Sequence, residues 1–181
     1  MIYDSKTAET QALQDIANKM CVAARTAPKA HGTDHILTCV ITGEDLLAVA
    51  DEMDRLGREH DVEALFSRDA RNVRDSDALV VIGSIYSQRG VKFCRYCGFD
   101  GCADCAKKDG VCVYDTVDLG IALGSAVAIA ADFHADNRIF YTAGKAVLSL
   151  GLLGKDAKIA FGIPISAWGK SPYFDKRLPK K

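Results

Sequence analysis

Ala78-Leu79-Val80-Val81-Ile82-Gly83 is an unbroken apolar run of strand length, rich in β-branched residues and preceded by Asp77. Read alone it is a buried strand, because a run this short with no polar residue suits a strand covered on both faces. Upstream the period changes. From Thr7 to Arg25 the residues Ala8, Ala12, Leu13, Ile16, Ala17, Met20 and Ala24 recur at three- and four-residue steps, the stripe of an amphipathic helix that stops before Pro28. His35 to Ile41 is a short β-branched run, and Thr42-Gly43-Glu44-Asp45 offers a turn and cap before a helix over Leu46 to Glu59. Phe66 to Arg74 reads as a further short helix.

Downstream, Asp115 with Asp118 three residues on has the spacing of a helix cap, and Leu119 through Ala131 carries no charged residue. This predicts a central buried helix near residues 116 to 134. The uncharged run falls short of the roughly 20 residues that cross a bilayer, so it reads as a core helix. Gly120, Gly124 and Ala128 lie four apart on one face and predict a tight helix–helix contact. Asp136 is expected to cap a helix through Leu150, closed by Gly151, and Lys158 to Ile163 to form a late strand ended by Pro164.

The chain has 181 residues, 49% of them hydrophobic, enough for one domain spanning 1–181 with a sizeable core. Lysine plus arginine (23) balances aspartate plus glutamate (24), for a formal charge of -1. No basic field gathers phosphate backbones or anionic lipid, so neither nucleic acid nor a membrane is an expected partner. Met1 to Gln14 has no basic segment followed by an apolar one, so a cytoplasmic location is expected. There is no nucleophile elbow, no phosphate-binding loop and no G-x-G-x-x-G after a strand. His31, His35, His60 and His134 show no i, i+4 pairing and read as surface or capping residues.

Five of the seven cysteines fall between residues 94 and 112, whereas Cys21 and Cys39 stand alone in apolar segments and read as small buried hydrophobes. The segment Cys94-Arg-Tyr-Cys97-Gly98-Phe-Asp-Gly101-Cys102-Ala-Asp-Cys105, then Cys112, joins glycine bends to converging thiols. Soft thiolates select zinc, copper(I) or iron–sulfur clusters. Structural zinc sites built from two CxxC knuckles usually space them about 15 to 20 residues apart, but here the gap is four. Two iron–sulfur readings remain. Cys97, Cys102 and Cys105 match the C-x4-C-x2-C spacing of plant-type ferredoxins, while C-x2-C-G-x3-C followed by a later cysteine uses Cys94, Cys97, Cys102 and Cys112 and leaves Cys105 spare. The second is preferred, with zinc as the alternative metal.

That Cys-Gly pattern resembles the small four-cysteine cluster domain of electron-transfer and corrinoid iron–sulfur proteins. Asp118-Leu-Gly-Ile-Ala-Leu-Gly-Ser-Ala, Ala143-Gly-Lys-Ala, Ala160-Phe-Gly-Ile-Pro-Ile-Ser and Gly169-Lys-Ser-Pro-Tyr-Phe-Asp175 resemble an uncharacterised prokaryotic family described as ferredoxin-domain-containing. The resemblance implies an iron–sulfur cluster, of the 4Fe–4S type, and electron transfer or an unassigned oxidoreduction with an unknown redox partner or small-molecule substrate. Arg25-Thr-Ala27-Pro28-Lys29 and the Gly120 to Ala131 helix are also similar to pieces of the flavin-dependent nitroreductase fold. That similarity implies a homodimer with FMN between subunits, Arg25 and Lys29 near the flavin edge and Arg177 against its phosphate. A residue-level alternative for Ala27-Pro28 is an ordinary helix stop. Together these readings give an α+β fold, a mixed, mainly antiparallel sheet flanked by helices, with an inserted cysteine-rich loop. A non-enzymatic, zinc-stabilised binding module is the remaining functional alternative.

Overall fold

A computed structural model describes residues 2–174. Arg177 and Asp175 lie outside them. The first helix, α1 (Ser5–Thr26), starts where the Asp4 carboxylate accepts the Thr7 N–H at 2.7 Å, and it buries Leu13, Ile16, Ala17, Met20 and Ala24. After a 3-10 turn at Ala30–Gly32 come β1 (Ile36–Ile41), α2 (Gly43–Glu59), α3 (Glu63–Arg74) and β2 (Ala78–Ser84). The chain then runs through a long coil to α4 (Cys102–Lys107) and α5 (Val113–Asp132), and ends in β3 (Asp136–Asn137), α6 (Tyr141–Ser149) and β4 (Ile159–Ser166).

The four strands form one antiparallel sheet in the order β1-β2-β4-β3. β2 is central and buried along its whole length. Its alternation divides the core: Ala78, Val80 and Ile82 pack with α1 and α5, while Leu79 and Val81 pack with α2, α3 and α6. Helices therefore cover both faces, which explains why β2 reads as a continuous apolar run rather than an alternating one.

Four expectations need correction. Asp136 does not cap a helix; it pairs with Ser166 in the short β3, and α6 begins only at Tyr141. β4 does not end before Pro164 but runs on to Ser166. The Gly162 N–H bonds Phe140, so Pro164, two residues on, turns its missing N–H to that same side, between the Phe140 bridge and β3. No bond to β2 is lost. Asp115 and Asp118 are not caps either, because α5 begins at Val113 and both carboxylates are buried within it. Finally, α5 meets α1 through Leu119, Ala122, Ala126 and Ala130, whereas Gly120 and Gly124 have open space beside them and Ala128 is exposed. Among the described residues the expected small-residue contact is not made.

By length and composition α5 could cross a membrane. In this fold one face of it packs into the core, with two buried aspartates in its first turns.

Candidate functional site

β2 delivers the chain at Ser84 to the coil that carries Arg89, Cys94 and Cys97; α4 then supplies Cys102, and Cys112 stands at the N-terminal boundary of α5. Backbone geometry around Cys94 is tight. Phe93 and Arg95 both take positive φ (57° and 52°), a region that non-glycine residues seldom occupy. This loop lines a cavity of about 200 Å³ bordered by Cys94, Cys97, Cys102, Cys112, Arg89 and Tyr114, among others.

Cys105 does not border it. The Cys105 thiol is fully buried, 3.7 Å from the Gln88 side-chain amide. Burial pushes this thiol up, the nearby Cys97 and Cys112 add to the shift, and Gln88 opposes it. Tyr114 is likewise raised, first by its hydrogen bond with Cys94. Cys21 and Cys39 lie away from the cavity and are half-buried rather than buried; partial burial still raises both, Cys39 to about 11.

Among the described residues, no three His, Cys, Asp or Glu side chains converge as ligands of a single ion. The cavity wall nonetheless carries four cysteines, a soft donor set whose chemistry suits a thiolate-bound metal group.

Behind the cavity lies a buried polar network that the sequence reading missed. The Arg89 side chain, 1% exposed, reaches Asp115 at 2.8 Å and Asp118 at 3.3 Å. The contact to Asp115 Oδ1 has ion-pair distance without hydrogen-bond alignment, and among the described residues that oxygen has no hydrogen-bond partner. Arg89 also donates to the Ser87 carbonyl at 2.8 Å and stands 2.5 Å from His35 Nδ1. A guanidinium only donates, so Nδ1 is the acceptor in this contact. The Ser87 N–H donates to Asp115 at 3.0 Å, and the Ala30 N–H to Asp118 at 3.0 Å. Asp118 thus ties the cavity wall to the turn after α1. The signal in the sequence was two carboxylates three apart on a helix otherwise free of charge, which needed a buried cation; nothing local named Arg89.

The structure brings Arg25 and Lys29 together around Asp34, but both act within the chain. The Arg25 guanidinium donates to Asp34 at 2.5 Å and to the Ile36 carbonyl at 2.7 Å. Lys29, its side chain 7% exposed, places its ammonium on the last carbonyls of α1, including Ala27 at 2.8 Å and Ala24 at 3.3 Å, with Arg25 also accepting. That is helix C-capping by a cation, and it leaves no unengaged ammonium for a flavin.

A curated protein of Archaeoglobus fulgidus, described as an uncharacterized protein, is 38% identical over 189 aligned positions that span the whole of both chains. A family profile described as "uncharacterized protein containing a ferredoxin domain" matches residues 108–176, from Lys108 through β4. The chain belongs to this family of ferredoxin-domain proteins. The profile match includes Cys112 but begins after the four other clustered cysteines.

Solved structures extend the likeness in fold. The FMN and NADPH-dependent nitroreductase NfnB from Sphigopyxis sp. strain HMH superposes with a TM-score of 0.58 at 14% identity, over 93% of this chain and 85% of that one. A BluB-like flavoprotein from Clostridium difficile 630 gives 0.55 at 14%, covering 92% and 84%. A nitroreductase family protein from Clostridium novyi NT gives 0.57 at 13%, covering 92% and 76%. At such identities the likeness is one of fold: the ferredoxin-domain protein has a nitroreductase-like α+β architecture.

Proposed function

We propose that this ferredoxin-domain protein is an iron–sulfur redox protein in which Cys94, Cys97, Cys102 and Cys112 hold the cluster, with 4Fe–4S as the type. The observation that carries the reading is the shared cavity: these four thiols border it and Cys105 does not. Their soft donors suit iron–sulfur chemistry. When bound, the cluster supplies one-electron transfer at a potential set by hydrogen bonds, charge and burial. The chain's own part is to present thiolates and restrict water. The N-terminal end of α5 favours negative charge at Cys112, and Tyr114 engages Cys94.

Phe93 and Tyr96, 97% and 77% exposed, stand on the same loop and offer an apolar landing for a redox partner. A cytoplasmic setting fits a chemistry that needs reduced thiols. Iron and acid-labile sulfide analysis of protein made without oxygen tests the reading; stoichiometric zinc without iron would favour the binding-module alternative.

A flavin oxidoreductase is the second reading. It is favoured by the fold likeness over nearly the whole chain to a nitroreductase named as FMN-dependent. As Arg25 and Lys29 are engaged within the chain, no step is assigned to FMN here. Titration with FMN tests it: quenching of flavin fluorescence at stoichiometric protein supports it, and unchanged fluorescence ends it. We also propose a homodimer joined across α5, where Val117 and Ile121 are exposed beside the open Gly120 and Gly124.

A further inference from the structure

The Arg89 side chain is 1% exposed, yet among the described residues one of its donors has no protein partner. Its terminal nitrogens meet Ser87, His35, Asp115 and Asp118, while Nε is buried and unpaired. A buried donor without an acceptor carries the whole loss of its hydration, and a buried guanidinium requires carboxylates to offset its charge. Asp115 and Asp118 provide that offset. They come from the first turns of α5, directly after Cys112, so the helix that presents a thiol also fixes the cation. Arg89 itself borders the thiol cavity.

We propose that Arg89 is a positioning residue for the thiolate-bound cluster: its Nε–H donates to a sulfur in the cavity, and its charge raises the reduction potential. The inference rests on the cluster reading above. A cation and a hydrogen bond beside the thiolates stabilise the extra electron of the reduced form more than they stabilise the oxidised form. The paired carboxylates keep the guanidinium at the wall and moderate its effect.

The test is a spectroelectrochemical titration of the anaerobic, cluster-loaded full chain and its variants, with iron and sulfide content measured for each. Arg89→Gln is expected to shift the one-electron equilibrium about tenfold toward the oxidised form, equivalent to about 59 mV. Arg89→Lys keeps the charge but loses the Nε–H, and is expected to shift the same way by less. Since Arg89→Gln leaves two carboxylates buried without a cation, the comparison of Asp118→Asn with the double variant R89Q/D118N reads the same quantity with one carboxylate removed. Unchanged potentials in Arg89→Lys, and between those two variants, at wild-type iron and sulfide content overturn this inference alone. Wild-type protein without iron and sulfide overturns the cluster reading and this inference with it.

Discussion

Arg89 and Asp115 meet at 2.8 Å with both side chains withdrawn from solvent, and this contact joins the exit of the central strand to the first turn of α5. The cysteine loop is strung between those two points. The buried Arg89 cluster, with Asp115 and Asp118 as its anions, therefore anchors the loop that carries the thiols.

Removing the anion should be strongly destabilising. Asp115→Ala strands the guanidinium beside Asp118 alone and deprives the Ser87 N–H of its acceptor. A loss of about 3 to 5 kcal/mol is expected, as for one partner of a buried pair, with Asp115→Asn losing less. Urea unfolding followed by circular dichroism measures both.

The cavity lining separates four cysteines from the fifth. Single Ala substitutions at Cys94, Cys97, Cys102 and Cys112 should each abolish or sharply reduce iron content. Cys105→Ala should retain it, with a stability loss of about 1 kcal/mol for the small void. Iron per chain and visible absorbance of anaerobically made variants check the pattern; loss of iron in Cys105→Ala with retention in Cys94→Ala would reassign the ligands.

Much of this architecture is legible in the sequence because it follows from periodicity. The α1 stripe, the α2 helix and the two-faced burial of β2 are each local patterns, and each element forms where its pattern lies. The misses have a common physical origin. β3 is two residues long and exists through pairing with β4, and Pro164 is tolerated because its nitrogen faces the gap beside β3. Asp115 and Asp118 mimic a cap in sequence, but their partner Arg89 lies 26 and 29 positions away. His35 reads as a surface residue and instead accepts from that same Arg89. The clustering of five cysteines was legible as spacing, whereas which of them border the cavity depends on how the loop folds over Gln88.

Close backbone approach explains one glycine. A Cβ at Gly144 of α6 would lie 1.8 Å from the Ala160 carbonyl oxygen of β4. Gly144→Ala must push the helix from the sheet, and a loss of about 3 kcal/mol or more is expected. Gly124→Ala, with open space beside it, should be neutral or slightly stabilising in the isolated chain. Thermal melts of the two variants give the contrast.

Acid should weaken the contact between α2 and α6. Glu52 takes two bonds from Arg55 at 2.7 Å each and one from Ser149 at 2.5 Å. The Arg55 guanidinium first, and then Ser149, hold its carboxyl down at about 2 against an ordinary 4.5. A depressed folded-state value gives stability that is present above pH 4.5 and lost as pH falls toward 2. Because Arg55 is half exposed, the contribution is about 1 kcal/mol. Glu52→Gln should thus melt below wild type at pH 7, with the difference closing near pH 2.

The open face of α5 predicts self-association. Ile121→Glu places a charge between Val117 and Gly124 and should convert a dimer into the 19.5 kDa monomer with little change in folding. Light scattering coupled to gel filtration reads this directly. A wild-type chain that is monomeric at tens of micromolar would contradict the dimer.

The central claim is that four thiols hold an iron–sulfur cluster, and its most direct test is iron and acid-labile sulfide analysis, with a visible spectrum, of the wild-type protein prepared without oxygen. The account predicts iron and sulfide in equal amounts, near four of each per chain for the 4Fe–4S type, with a broad thiolate-to-iron absorption that bleaches on reduction. Zinc without sulfide, or thiols with no metal after anaerobic preparation, would contradict it.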